Sequence, residues 1–277
     1  MSTTRPINAE GQADAREIRT IALIALIVAA ITGAIFTLAP SLDIAASALF
    51  YTETGRFALA DSEFWRFIRT VFLRGFTVWY IVISVCLFIS IKAGTRVLTL
   101  NWKEWCFQVF CALAGPLLLT NMVLKDHWGR WRPREILEFG GVNGFAPPLD
   151  WGGTCLDNCS FVSGEVSSTV MSFFALALVA TAWRKRLYLI TALLWGVSAL
   201  IRVGQGGHFL SDAIYAGIFM VLVACAIYAL MFLRAESAAE DEHPQQAVSR
   251  LFNAHDRFWE TVCSAGLALL DRLAPRR

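Results

Sequence analysis

The sequence predicts an all-α, polytopic membrane protein, a bundle of six transmembrane helices. Hydrophobic residues make up 56% of the 277 residues and charged residues 17%, whereas soluble domains hold nearer a quarter charged. The mean hydropathy is +0.54. Apolar runs of about membrane length recur along the chain, and unpaired backbone is not tolerated in lipid, so each run is read as a helix. The same figures exclude other classes. A formal net charge of +2 is too small for a nucleic-acid binder, and ten Trp with twenty Phe exclude a disordered chain. The length leaves no room for a second large domain.

The first span is expected over 20–39, free of charge. Its apolar stretch exceeds that of a secretory signal, so it reads as an uncleaved anchor, although Ala46-Ser47-Ala48 resembles a weak cleavage site. Residues 43–69 mix apolar and charged side chains and are expected to lie along the outer surface. The second span covers 75–91, extended backwards by 71–74, the third 105–124 and the fourth 166–183. The fifth, 187–201, is short, and 213–233 closes the set. The bundle is thus expected over 20–233, with outer loops at about 40–70 and 125–162 and a cytoplasmic segment at 1–19. Beyond it, Val248, Leu251, Phe252, Phe258, Trp259, Val262 and Leu269 form a helical apolar stripe, an amphipathic tail over 234–277.

Basic residues orient this bundle. With both termini cytoplasmic, most Lys and Arg fall in the inner segments. Arg66, Arg69 and Arg74 violate the rule. Trp65, Trp102, Trp105, Trp128, Trp131 and Trp183 near the span ends are expected to form interfacial belts. Cys86, Cys106, Cys111 and Cys225 fall in spans and behave as small hydrophobes. Cys155 and Cys159 share an outer loop, where an oxidising compartment would favour a disulfide. Two Cys without further ligands make a poor zinc site.

The informative residues are those a hydrophobic chain would otherwise avoid. They form three clusters: Lys125-Asp-His-Trp-Gly-Arg-Trp-Arg132-Pro133, Phe161-Val-Ser163-Gly164-Glu165, and Arg202-Val-Gly-Gln-Gly-Gly-His208-Phe-Leu-Ser-Asp212. The odd–even count of crossings puts all three on one face, the outer one in this orientation. Singly, each has a plainer explanation: interfacial anchors for Lys125 and Arg132, a helix start for Ser163-Gly164, a structural pair for His208 and Asp212. Together on one face they point to chemistry, because charge at membrane depth is costly. Lys125, Arg132 and Arg202 suit phosphate oxygens. Ser163 and Gly164 open a helix, where free N–H groups favour an anion. His208 and Asp212 are four apart on one helical face, so the carboxylate is placed to orient the imidazole. Such an imidazole can attack phosphorus, giving a phosphohistidine that water cleaves.

These residues resemble the signature of the type 2 phosphatidic acid phosphatase superfamily, K-x6-R-P, P-S-G-H and S-R-x5-H-x3-D. Lys125, Arg132 and Pro133 match the first element, Ser163 and Gly164 the second, and Arg202, His208 and Asp212 the third. Val162 replaces the family's Pro, Ile201 its Ser and Glu165 its His. The resemblance implies His208 as nucleophile, Asp212 as its orienting partner, and Lys125, Arg132, Ser163, Gly164 and Arg202 as the phosphate cradle. It implies no metal or cofactor, a lipid phosphate as substrate and no obligate protein partner. Glu165 stands where the family has its proton donor. A helix start and three cations favour its ionised form, the wrong one for an acid, while burial and an incoming dianion favour the protonated form. Water or His127 is the alternative donor. The longer string from Cys159 to Glu165 resembles bacterial lipid A 4′-phosphatase-like proteins. The expected function is therefore hydrolysis of a lipid phosphate monoester at the periplasmic face of a bacterial inner membrane. Undecaprenyl diphosphate or phosphatidylglycerol phosphate is the alternative substrate, and a non-catalytic lipid-phosphate binder or transporter the alternative class.

Overall fold

The computed structural model describes residues 9–233, with side chains from residue 12. Seven longer helices carry these residues: α1 Ala9–Leu38, α2 Ser41–Ala48, α3 Glu63–Ala93, α4 Trp102–His127, α5 Gly164–Val179, α6 Arg184–Gly204 and α7 Leu210–Leu233. Five of them, α1, α3, α4, α6 and α7, contain stretches long and apolar enough to cross a membrane. Their outward faces are apolar: Leu23, Ile24, Ile27 and Ile31 on α1 and Phe67, Val78, Ile81 and Val85 on α3 are all exposed. Apolar surface on that scale belongs against lipid.

Helix α5 departs from the expected fourth span. It has 16 residues, about 24 Å of helix against a hydrocarbon core of about 30 Å. The backbone leaves the helical region at Ala180 (φ −85°, ψ 66°), and a single turn at Thr181–Trp183 leads into α6. Val166, Val170, Met171, Ala175 and Leu178 are buried, and α5 packs against α3, α4, α6 and α7. A helix surrounded by other helices need not meet lipid along its whole length.

Helix α4 carries Pro116, which has no N–H to give to the preceding turn. From Leu113 to Leu124 the coil widens to π-helical hydrogen bonding, one of the ways a membrane helix accommodates proline. Asn121 Nδ2 donates to the Pro116 carbonyl at 2.8 Å. Thr120 Oγ1 donates to Ser167 Oγ at 3.0 Å, tying α4 to α5 in the core. The wide segment ends at Lys125, which it turns towards the start of α5.

Several expected boundaries move. The N-terminal segment is already helical from Ala9, and the outer connection after α1 ends where α3 begins at Glu63. That connection does not simply lie on the surface: Asp43 and Ser47 of α2 are fully buried. Trp105 is buried, with Nε1 donating to the Val97 carbonyl, and Trp128 stacks on Phe161 at 4.3 Å. Both serve packing instead of a belt. The amphipathic tail expected over 234–277 lies outside the described residues.

The loop between α4 and α5 is pinned to its own start. Cys155 N donates to the Gly129 carbonyl, Cys159 N to that of Lys125, and Ser160 N to that of Arg130 at 2.7 Å. Cys155 and Cys159 form a disulfide, their Cα atoms 5.8 Å apart. A second apolar cluster of Phe57, Ile136, Phe139 and Phe209 roofs the same end of the bundle.

Candidate active site

The three polar clusters meet at one end of the bundle. The end of α4 supplies Lys125, the start of α5 supplies Ser163, Gly164 and Glu165, and the α6–α7 turn supplies Arg202, His208 and Asp212. Ser163 is the N-cap of α5, its hydroxyl accepting from Val166 N at 3.5 Å. A Cβ on Gly164 would stand 3.0 Å from Lys125 Nζ and 3.1 Å from Asn121 Oδ1. The missing side chain lets the lysine lie over the helix start, where N–H groups favour an anion. Gly206 has φ +61° and sits against the Phe57 ring, and Gly207 lies against the Arg202 guanidinium. The Gly-Gly pair therefore lets the α6–α7 turn close over Arg202.

Arg202 is buried and donates from Nη1 to Gln205 Oε1 at 3.1 Å. Its Nε lies 3.4 Å from Glu165 Oε1, close enough for charge pairing but not aligned as a hydrogen bond. That buried N–H is unsatisfied by protein, a costly state that an anion in the site would relieve. Arg132 reaches Asn158, with Nη2 donating to the carbonyl at 2.6 Å and to Oδ1 at 2.7 Å. Asn158 lies inside the Cys155–Cys159 loop, so the disulfide buttresses Arg132.

His208 is 2% exposed. Its Nδ1 is 2.6 Å from the Ser160 carbonyl oxygen, which accepts from a protonated Nδ1 and leaves Nε2 with its lone pair. Burial, then the charges of Arg202, Lys125 and Arg132, hold its pKa well below the ordinary histidine value, and the Ser160 contact opposes this only in part. The imidazole is neutral near pH 7, the form that can attack phosphorus.

Asp212 is not the direct partner of His208 that the four-residue spacing implies. Its nearer oxygen is 3.9 Å from Nδ1. The carboxylate instead accepts from Arg130 Nη1, the Ser160 hydroxyl and Phe209 N. Arg130 donates from Nη2 to Asp43 at 2.8 Å, and Asp43 also accepts from the amide and hydroxyl of Ser211. Arg130, Asp43 and Asp212 are all fully buried. The Arg130 guanidinium lies 4.2 Å from the Phe209 ring centroid and 5.5 Å from that of Phe145. A buried network of this kind specifies one arrangement because each member is costly to leave unpaired.

Sequence reasoning missed Arg130, Asp43, Ser160 and Arg69. Asp43 was visible as a lone charge in an apolar run, and Arg69 as a cation on the wrong side for its topology. Ser160 acts through its carbonyl, which residue type does not report. His127 is exposed, and its Nδ1 lies 2.9 Å from the Val123 carbonyl one turn back.

The family model described as "PAP2 superfamily" matches residues 104–236. The lipid A 4′-phosphatase of Francisella tularensis subsp. novicida (strain U112) is 32% identical over 215 residues, 77% of this chain and 97% of that protein. The chain belongs to the PAP2 superfamily. Two further similar proteins are the lipid A 4′-phosphatases of Rhizobium leguminosarum and of Rhizobium etli. The first is 32% identical over 216 residues, 71% of this chain and 90% of that protein. The second is 32% identical over 213 residues, 71% of this chain and 82% of that protein. No solved structure matches the chain. The PAP2 match begins inside α4 and runs past α7, so it covers all three clusters. It omits α1, α2 and α3, the elements that supply Asp43 and Arg69.

Proposed function

We propose that the protein is a membrane phosphohydrolase that removes a phosphate monoester from a lipid, with the 4′-phosphate of lipid A as its substrate. The observation that carries this reading is the buried His208, anchored through Nδ1 on Ser160 and within the fields of Lys125, Arg132 and Arg202. His208 Nε2 attacks phosphorus, a nitrogen–phosphorus bond forms, and the bond to the sugar oxygen breaks. That oxygen takes up a proton from solvent water and leaves as the hydroxyl, and the attacking water of the next step returns a proton to solvent. Water then attacks the phosphohistidine, inorganic phosphate departs and neutral His208 is restored. The three cations and the N–H groups at the start of α5 neutralise the equatorial oxygens as charge redistributes. Asp212 acts through Ser160 and Arg130, holding the carbonyl that orients the ring. The relatives' names support lipid A as the substrate.

This reading includes both termini in the cytoplasm and the site at the periplasmic face of a bacterial inner membrane. The distribution of basic residues supports this orientation. So does the disulfide at the site's end of the bundle, while Cys86, Cys106, Cys111 and Cys225 are free within helices.

The test is phosphate release from a panel of purified lipids by wild type and His208→Ala. Turnover of lipid A by wild type and its loss in the variant are expected, with mass analysis showing loss of the 4′-phosphate. Equal turnover by the variant overturns the phosphohistidine mechanism, and a preference for undecaprenyl diphosphate or phosphatidylglycerol phosphate overturns the substrate.

A further inference from the structure

Arg69 of α3 lies outside all three clusters, yet its guanidinium is docked on Glu165 at the start of α5. Nε donates to Oε1 at 2.9 Å and Oε2 at 3.1 Å, and Nη2 to Oε1 at 2.8 Å. The same Oε1 also lies 3.4 Å from Arg202 Nε. One carboxylate thus stands between two guanidinium groups, one of which belongs to the phosphate cradle. We infer that Arg69 is a fourth cation of the cradle and that Glu165 is its positioning counter-ion, not the proton donor to the leaving group. This rests on the phosphohydrolase reading above.

Hydrogen bonding argues against a donor role. Both Glu165 oxygens accept from N–H groups, and guanidinium offers no acceptor to a carboxylic O–H. A proton on Glu165 would therefore have no partner in this arrangement. Electrostatics supplies the alternative role. Arg69, Arg132 and Arg202 lie within each other's fields, and Lys125 faces Arg132 and Arg202. Like charges gathered without substrate repel, and Glu165 offsets them. A phosphate dianion entering the cradle brings the same sign and the same fork-shaped acceptor geometry, so it can take over Arg69 and Arg202 from the carboxylate.

Position fits this exchange. The Arg69 side chain is 38% exposed and that of Glu165 14%, whereas Arg202 is 5% exposed. Arg69 is the outermost of the three. One and two turns along α3, Phe72 and Phe76 line an apolar groove of about 280 Å³ with Trp79, Phe173 and Leu194. Arg69 therefore lies one turn from this apolar groove, on the side of the polar clusters, a place suited to the phosphate of a lipid.

The experiment compares purified full-length wild type with Arg69→Gln, Arg69→Lys, Glu165→Gln, the double variant Arg69→Gln/Glu165→Gln and His208→Ala. The substrates are lipid A 4′-phosphate and p-nitrophenyl phosphate, whose leaving group needs no acid. Arg69→Gln is expected to lower kcat/KM on lipid A at least tenfold, with partial recovery in Arg69→Lys. Glu165→Gln is expected to lower turnover of both substrates by a similar factor, and the double variant to be no worse than the weaker single. Glu165→Gln that fails on lipid A but turns over p-nitrophenyl phosphate like wild type would make Glu165 the acid and overturn the proposal. Additive losses on lipid A, or wild-type kinetics in Arg69→Gln, would overturn it equally. Should Arg69→Gln fail to fold, Arg69→Lys at wild-type KM is the overturning result. Full activity of His208→Ala would instead refute the phosphohistidine reading and leave the Arg69 arms readable.

Discussion

His208 takes its orientation from the main chain of Ser160, with Nδ1 2.6 Å from the carbonyl oxygen, while Asp212 stands 3.9 Å away. Ser160 is itself held twice, by Arg130 through its amide and by Asp212 through its hydroxyl. Replacing Ser160 with Ala keeps the carbonyl, so kcat is expected to stay within about tenfold of wild type. A stability loss of about 1–3 kcal/mol is expected, because the Asp212 oxygen loses the hydroxyl and keeps only Phe209 N. Arg130→Met strands two buried carboxylates and is expected to cost about 3–5 kcal/mol, read as a lower Tm in detergent. A kcat loss above a hundredfold in Ser160→Ala, at unchanged Tm, would make the hydroxyl the orienting group.

The pH dependence follows from the lowered pKa of His208. The neutral imidazole attacks, so activity is present above that pKa and is lost as pH falls through it. The acid limb of kcat/KM attributable to His208 is expected below the ordinary value of about 6.5. In Lys125→Gln one of the depressing charges is gone, and the limb is expected to move up. Substrate ionisation is common to both enzymes, so the difference between their profiles isolates the histidine. A limb that moves down in the variant contradicts the assignment.

Two glycines in the α6–α7 turn separate stability from catalysis. A Cβ on Gly207 would overlap the Arg202 guanidinium, so Gly207→Ala is expected to lower kcat/KM at least tenfold with a small change in Tm. Gly206 has φ +61° and abuts the Phe57 ring, so Gly206→Ala is expected to lower Tm itself, by strain of about 1–3 kcal/mol. Thermal unfolding beside lipid A kinetics distinguishes the two. Identical behaviour of both variants would refute the division.

Reduction of the Cys155–Cys159 disulfide is expected to act through Arg132. The bridge closes the loop that carries Asn158, the residue that fixes the Arg132 guanidinium. Cys155→Ser/Cys159→Ser, or wild type in dithiothreitol, is expected to raise KM more than it lowers kcat. The stability cost is roughly 2 kcal/mol for so short a loop. An unchanged KM with lower kcat would detach the bridge from substrate binding.

The sequence by itself determined the solvent, the helical class and the three polar clusters, because hydropathy and motif spacing are local properties. It also established that Lys125, Ser163, Gly164, Arg202 and His208 share one end of the bundle, since each sits at the end of an apolar run. Only the tertiary structure decided what each charge touches. Helical spacing places Asp212 on the same face as His208, but Arg130 and Ser160 compete for the carboxylate and win it. Arg69 lies 96 residues before Glu165, and Asp43 lies 87 and 168 residues before Arg130 and Ser211, so no window of sequence brings these partners together. The shortness of α5 was likewise hidden, because an apolar run continues through Trp183 whether or not the backbone stays helical. Composition reports which residues can bear charge in a membrane, and packing alone assigns each its counter-charge.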